Sequence, residues 1–315
     1  MKIVVTDGYA LNPGDLSWKS LEAIGNLQVY DRTPSSLVTE RCLDADIILT
    51  NKVPLNKETI DKLRHAKLIS VLATGYNIVD VAAAKEKGIT VCNVPDYGTD
   101  SVAQHTFALI LELVNATGAN AASVANGEWV TSEDFAYSRK PLIELAGKTI
   151  GIVGFGNIGQ QTARIARAFG MKVVYTGPRK KETDLGDYYP MEALFEHSDV
   201  ISLHCPLKPE NKEFVNSSLL SLMKPSAFIV NTARGQLINE QELADALNNG
   251  VIAGAALDVL STEPPPANNP LLSAKNVIIT PHNAWMSKEA RERIMKITAE
   301  NLKAFLNGKP IHVVN

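Results

Sequence analysis

The chain has 315 residues, with 31 Lys+Arg against 34 Asp+Glu for a formal charge of −3, and is 45% hydrophobic and 21% charged. That length suggests two domains, the composition excludes wholesale disorder, and the balanced charge without a basic stripe argues against nucleic acid as a partner. Three cysteines, Cys42, Cys92 and Cys205, lie too far apart for a disulfide framework or a zinc pattern, so no metal is expected and a reducing cytoplasm is the natural compartment.

In chain order, Lys2–Thr6 is β-branched and reads as a first strand; its apolar run is too short for a signal-peptide core. A turn at Asn12-Pro13-Gly14 precedes a helical pattern at Leu16–Ile24. Strand-like runs at Ile47–Thr50, Leu68–Leu72 and Thr90–Val94 alternate with helical patterns at Lys57–His65 and Val81–Lys87. Such alternation predicts a parallel sheet with crossover helices. Asp100–Ala125 then reads as one long helix, with Asp100 or Ser101 as N-cap and Val102, Thr106, Leu109 and Leu113 on one face. An irregular aromatic segment follows from Gly127 to Lys140. A second α/β series has strand-like runs at Thr149–Val153, Lys172–Thr176, Val200–Leu203, Ala227–Asn231, Gly254–Leu257 and Val277–Ile279. A charged helix pattern at Lys288–Leu306 closes the chain before Asn307-Gly308. No apolar stretch reaches the ~18–20 residues of a membrane span.

Gly154-Phe-Gly156-Asn157-Ile158-Gly159 follows an apolar strand and opens a helical pattern from Gln160 to Phe169, which is the context a dinucleotide fingerprint requires. Gly154 would permit the tight turn, Gly156 the approach of the pyrophosphate, and Gly159 close helix–strand packing. At the end of the next strand, an NAD site wants an acid for the ribose hydroxyls. This chain has Gly177 there, followed by Arg179, Lys180 and Lys181, which would hold a 2′-phosphate. NADP(H) is therefore favoured over NAD(H). The bland alternative is a solvated basic turn with an NAD ribose bound without its carboxylate.

Three residues of the second half share one placement. Arg234 in Asn231-Thr-Ala-Arg-Gly235, Glu263 in Asp258-Val-Leu-Ser-Thr-Glu-Pro264 and His282 in Thr280-Pro-His-Asn-Ala-Trp285 each lie just past a strand, where open α/β folds bind ligands. Hydride transfer to a 2-oxo acid needs a proton donor, and His suits that work near neutral pH. It needs a cation for the carboxylate and carbonyl, for which a guanidinium is well shaped. A Glu beside the His would stabilise the imidazolium. His65, His105, His197 and His312 lack such context and read as helical or surface residues; Gln104 and Phe107 read as packing or dimer contacts. His204 and Cys205 end a strand without a partner for chemistry.

Taken together, Gly154–Gly159, Asn231–Gly235, Asp258…Glu263-Pro264 and Pro281-His282 resemble the D-isomer-specific 2-hydroxyacid dehydrogenases, over nearly the whole chain. Ala73-Thr-Gly-Tyr-Asn77, Val102-Ala-Gln104 and His282-Asn-Ala-Trp285 are most similar to the glycerate dehydrogenase/hydroxypyruvate reductase branch, and Tyr175-Thr-Gly177 to the NADP-using glyoxylate/hydroxypyruvate reductases. The resemblance implies Arg234 as substrate anchor, His282 as acid/base and Glu263 as its partner. It implies that the amides of Thr74 and Gly75 hold the substrate carboxylate and that Trp285 shapes the substrate pocket. The implied cofactor lining is Thr99, Val102, Gly154, Gly156, Asn157, Ile158, Gly159, Gly177, Arg179, Lys180, Cys205, Pro206, Thr232, Ala233, Asp258 and His282, with Asp258 facing the nicotinamide carboxamide. The family usually has Glu where this chain has Gln104.

The implied fold is two Rossmann-like or flavodoxin-like doubly wound parallel-sheet domains with a cleft between them. Residues 1–98 plus 287–315 would form the substrate domain and 99–286 the dinucleotide-binding domain, hinged so that the cleft closes on substrate. The implied activity is an NAD(P)H-dependent reductase of hydroxypyruvate or glyoxylate, working as a cytoplasmic homodimer without membrane or nucleic-acid partners. D-lactate-type substrates remain open. So does a nucleotide-sensing corepressor on the same fold, against which the lack of long disordered tails counts.

Overall fold

The computed structural model describes all 315 residues. The chain separates into two compact units, Met1–Gly98 with Met286–Asn315, and Thr99–Trp285; Met286 goes with the first unit.

In the first unit, β1 (Lys2–Val5), β2 (Asn26–Val29), β3 (Ile47–Thr50), β4 (Leu68–Val71) and β5 (Thr90–Cys92) form a parallel sheet in the order β2-β1-β3-β4-β5. This is the flavodoxin-like order. Every residue of β3 and β4 is buried, as expected of β-branched strands covered on both faces. The crossovers are α1 (Gly8–Leu11), α2 (Lys19–Glu22), α3 (Val38–Cys42), α4 (Lys57–Lys62) and α5 (Val81–Glu86). Asn56 caps α4 by accepting the Thr59 amide, and Asp80 caps α5 by accepting that of Ala83. The helix expected at Leu16–Ile24 shrinks to α2 because Asn12 claims its start. The Asn12 carboxamide oxygen accepts the Gly14 and Leu16 amides, and its NH2 donates to Leu16 O, which fixes a turn.

In the second unit, β6 (Thr149–Val153), β7 (Lys172–Thr176), β8 (Asp187–Tyr188), β9 (Val200–Leu203), β10 (Phe228–Asn231), β11 (Gly254–Leu257) and β12 (Val277–Ile279) are parallel, in the order β12-β11-β10-β9-β6-β7-β8. Side chains alternate between two cores. Ile201, Leu203, Ile229, Ala255 and Leu257 face one layer, and Ile150, Ile152, Val200, Val230 and Ala256 the other. The helices are α6 (Thr99–Asn115), α7 (Thr117–Ala125), α8 (Asn157–Ala168), α9 (Met191–His197), α10 (Ser217–Leu220) and α11 (Glu240–Asn248).

The single long helix expected from Asp100 to Ala125 is in fact two. Ala116 takes the left-handed region (φ 45°) and the axis bends by 61°. The Glu112 carboxylate accepts the Gly118 amide at 3.0 Å, satisfying a donor at the start of α7 that a continuous helix would have used internally. No single helix is long and apolar enough to cross a membrane. The α6–α7 pair passes that test only jointly, and α6 buries Val102, Ala103, Phe107, Leu109 and Ile110 in packing against β10 and β11.

The chain then returns to the first unit as α12 (Lys288–Leu306), capped by Ser287, whose hydroxyl accepts the Ala290 amide. Arg291, 6% exposed, clamps Asp15 with two bonds of 2.7 Å and also donates to Leu11 O. This guanidinium–carboxylate bond, with the Arg291 charge, holds the Asp15 carboxyl below its usual range.

Candidate active site

All three chemically suggestive loops hang from the carboxyl ends of parallel strands in the seven-stranded sheet, after β10, β11 and β12. The closest pairing is between the last two. His282 Nδ1 lies 2.6 Å from Glu263 Oε2, and Glu263 Oε1 accepts the Leu260 amide at 3.1 Å. The carboxylate can only accept, so Nδ1 carries the proton and donates, and Nε2 is left as the ring atom that exchanges protons with a ligand. His282 sits in the left-handed region at φ 52°, with its amide donating to Asp258 O (2.8 Å) and Thr280 O (2.9 Å).

Arg234 reaches this pair through backbone packing. A Cβ on Gly235 would fall 1.9 Å from the Leu260 carbonyl carbon, so only glycine lets the Arg234 loop lie on the Glu263 loop. Gln236 donates to Ser261 O at 2.7 Å. Glu240 accepts the Ser261 amide at 2.6 Å and the Asn269 side chain at 2.8 Å. The Arg234 guanidinium is half-buried and uses one donor on Ala233 O (2.6 Å), leaving the rest of its planar fork for an anion.

Asp258, 1% exposed, spends its carboxylate on the loop that bears His282. Oδ1 accepts the Thr280 hydroxyl (2.5 Å) and the Asn283 amide (3.0 Å), and Oδ2 accepts the Ala284 amide (2.9 Å). Burial pushes this carboxyl up, yet the bonds from His105, Thr280, Ala284 and Asn283 outweigh it and hold the group below its usual value of 3.8. Trp285 is buried at 9% exposed.

The glycine fingerprint sits where the strand order reverses, between β6 and β9. Two of its glycines serve the protein's own packing. A Cβ on Gly154 (φ 96°) would lie 2.5 Å from Cys205 N, and one on Gly159 would lie 2.3 Å from Gly154 O. Gly156 differs: a Cβ there would meet nothing within 4 Å. It caps the 12-residue α8, whose first residues are Asn157 and Ile158, with no side-chain cap, so bare backbone faces open space. That cradle fits a dinucleotide pyrophosphate. Of the other residues expected to line the cofactor, Thr99 opens α6 and Val102 lies buried in its first turn. Thr232 is buried against Thr106, Ala233 N donates to Asn231 Oδ1, and Pro206 is exposed. Cys205 is a free thiol pushed up to about 11 by burial, and so inert.

Gly177, after β7, also has open space where a Cβ would go, and Arg179, Lys180 and Lys181 beyond it are exposed. Tyr175, stacked on Phe155 at 4.0 Å, pins the far end of this turn. Its hydroxyl donates to Lys181 O and accepts the Lys181 amide, each at 2.9 Å.

In the first unit, the Thr74 hydroxyl donates to Val94 O (2.9 Å) and Asn93 donates to Thr74 O (2.8 Å). These bonds shape a loop after β4 in which the amides of Thr74 and Gly75 donate to no backbone group. Sequence reasoning missed His105. It reads as a surface or helical residue, but its Nε2 lies 3.1 Å from Thr280 Oγ1 and 3.5 Å from Asp258 Oδ1. No local signal in the sequence marks it, since Thr280 lies 175 residues further along the chain.

The D-isomer specific 2-hydroxyacid dehydrogenase NAD-binding domain matches residues 107–284. Hydroxypyruvate reductase of Blautia hydrogenotrophica is 51% identical over 322 residues, covering 100% of both chains. Glycerate dehydrogenase of Methylorubrum extorquens is 42% identical over 90% of this chain and 89% of its own. Among solved structures, an acyclic imino acid reductase in complex with NADPH and D-Arg superposes with a TM-score of 0.88 at 34% identity over 100% of both chains. With its fingerprint at the sheet's switch point and its His–Glu pair beyond the same sheet, the chain belongs to the D-isomer-specific 2-hydroxyacid dehydrogenases, nicotinamide-dependent oxidoreductases acting on a CH–OH group.

Proposed function

We propose that this enzyme reduces hydroxypyruvate, and glyoxylate beside it, to D-glycerate and glycolate with NADPH. The observation that carries the reading is the 2.6 Å His282–Glu263 pair on a loop next to that of an Arg with spare donors. The names of the relatives, hydroxypyruvate reductase and glycerate dehydrogenase, support the substrate class.

When bound, the nicotinamide cofactor supplies or accepts the hydride at the substrate's C2. Arg234 anchors the carboxylate and polarises the C2 carbonyl, and its fixed fork suits both oxygens. His282 gives its Nε2 proton to the carbonyl oxygen as that oxygen gains charge, so hydride and proton together convert the 2-oxo acid into the 2-hydroxy acid. Glu263 keeps Nδ1 protonated and the ring oriented throughout. Thr74 and Gly75, with their unused amides, are the proposed holders of the carboxylate, and Trp285 the proposed wall beside it. Asp258 is the proposed partner of the nicotinamide carboxamide, in addition to the loop it holds.

The coenzyme preference rests on Gly177 and the basic turn. No acid stands at the end of β7, and the exposed, positively charged Arg179 and Lys180 that follow support a 2′-phosphate as ligand. The test is initial-rate oxidation of NADPH and NADH, each with hydroxypyruvate, glyoxylate and pyruvate. Fast turnover of hydroxypyruvate with NADPH is expected. A pyruvate preference would replace the substrate, and an NADH preference would sink the role given to Arg179 and Lys180. Cofactor binding without any turnover would favour a sensing role.

We further infer a cytoplasmic homodimer. All three cysteines are free, which suits a reducing compartment. Between Val124 and Leu142 the chain exposes Val130 at 88%, Phe135 at 92% and Leu142 at 58%, a concentration of bare apolar side chains that a second copy would cover. Sedimentation of wild type against a Val130→Asp/Phe135→Asp double variant tests it. The expected result is a dimer that dissociates, and a monomeric wild type would overturn it.

A further inference from the structure

The loop that carries His282 is stapled at both ends to one face of α6. At its start, His105 Nε2 lies 3.1 Å from Thr280 Oγ1. At its end, Ser101 Oγ donates to Ala284 O at 2.6 Å. Ser101 and His105 are four residues apart, so the two staples come from successive turns of the same helical face.

The direction of the first staple follows from its neighbours. The Thr280 hydroxyl gives its one proton to Asp258 Oδ1 at 2.5 Å. Its oxygen is then the acceptor, and His105 must be the donor, protonated on Nε2. The result is a chain, His105 N–H to Thr280 O–H to the Asp258 carboxylate, which also receives the Asn283 and Ala284 amides while Asp258 O receives that of His282. His282 itself sits at φ 52°, a conformation that a residue with a Cβ keeps only where its surroundings impose it. The next residue of the helix extends the brace, since Thr106 Oγ1 lies 3.0 Å from Thr232 Oγ1 in the loop that bears Arg234.

We propose that Ser101, His105 and Thr280 are positioning residues of the reaction. Without touching the His282 ring, they fix the backbone from which it reaches Glu263 and substrate. The inference rests on the reading of His282 as the acid/base residue. It also accounts for a buried, charged Asp258 whose partners are the His282 loop and the His105 that braces that loop.

The experiment compares wild type with Thr280→Val, Thr280→Ser, His282→Ala and the Thr280→Val/His282→Ala pair, using whichever of hydroxypyruvate, glyoxylate and pyruvate turns over fastest. Thr280→Val keeps the shape but deletes the relay. It is expected to lower kcat about tenfold, the scale of one hydrogen bond to a charged group, while KM and coenzyme affinity stay within about twofold. Thr280→Ser should restore most of kcat. In the His282→Ala background Thr280→Val should have no further effect, because nothing is left to position. A proton NMR signal from His105 Nε2–H, protected from exchange in wild type, should be lost in Thr280→Val. Should Thr280→Val fold poorly by its melting curve, Ser101→Ala is read instead, with about a threefold loss of kcat in the same pattern. Unchanged kcat in a folded Thr280→Val, or the same loss with and without His282, overturns the proposal. A fully active His282→Ala would instead sink the acid/base reading, and this inference with it.

Discussion

Two histidines stand past strands of the same sheet, His204 after β9 and His282 after β12, and the sheet uses them in opposite ways. His204 donates its amide to Val153 O, its ring sits 2.8 Å from Ser202 Oγ, and its backbone is pressed against Gly154. No carboxylate faces it, and burial pushes it down to about 3, so it stays neutral and fixed beside the fingerprint. His282 meets a carboxylate at 2.6 Å on a loop that Asp258 and α6 hold in an otherwise unfavourable backbone conformation. A strand's carboxyl end therefore does not by itself make a histidine reactive. The charge beside the ring and the bracing of its loop do.

The largest expected effect breaks that comparison directly. His282→Ala should lower kcat by about a thousandfold, within the range for loss of a general acid, whereas His204→Gln should leave kcat within about threefold. Initial rates with saturating coenzyme decide it, and equal losses would erase the distinction. Glu263→Gln comes next. It retains a hydrogen-bonding group of the same size but removes the charge beside His282, so a roughly ten- to hundredfold loss in kcat is expected, with KM changed far less. A loss confined to KM would move Glu263 from the acid/base pair to substrate binding. A smaller effect concerns coenzyme choice. Arg179→Glu/Lys180→Glu should lower kcat/KM for NADPH by about tenfold or more relative to NADH, through like-charge repulsion of the 2′-phosphate. No change in the ratio would return the basic turn to plain surface.

The same contrast explains what could be read from the residues alone. Strands β6, β7, β9 and β11 have the bounds that the apolar runs indicate, because strands covered on both faces need little but apolar side chains. The half-buried edge strand β12 is apolar throughout and matches as well. The edge strands β2 and β8 were illegible. Asn26–Val29 alternates exposed and half-buried positions, and Asp187–Tyr188 is two residues long. The break at Ala116 was hidden as well, since the helical pattern runs on through it and the cause is a Glu112 side chain folding back on Gly118. In the site, Arg234, Glu263 and His282 could be found because each follows a strand in a short, distinctive segment. His105 could not, because its partner Thr280 lies 175 residues away and only the sheet order, with α6 packed over β10 and β11, brings them together.

The smallest effect is on stability, and it sharpens the comparison from the His204 side. In the unfolded chain His204 takes up a proton near its ordinary value of 6.5, whereas in the folded chain it does so only near 3. Between those values the unfolded state binds one more proton, so stability falls as the pH drops from 6.5 towards 3. Asp258 acts lower down. Its folded value is depressed below 3.8, so its stabilisation is full above that value and is lost as the pH falls through the folded one. Acid destabilisation should thus come in two stages, with the onset near 6.5 belonging to His204. His204→Gln, able to keep a hydrogen bond to Ser202, should flatten the melting temperature between pH 6.5 and 4 and leave the steeper fall below pH 4. If the variant and wild type lose stability in parallel across the upper interval, His204 is not held neutral, and the two histidines differ less than their surroundings indicate.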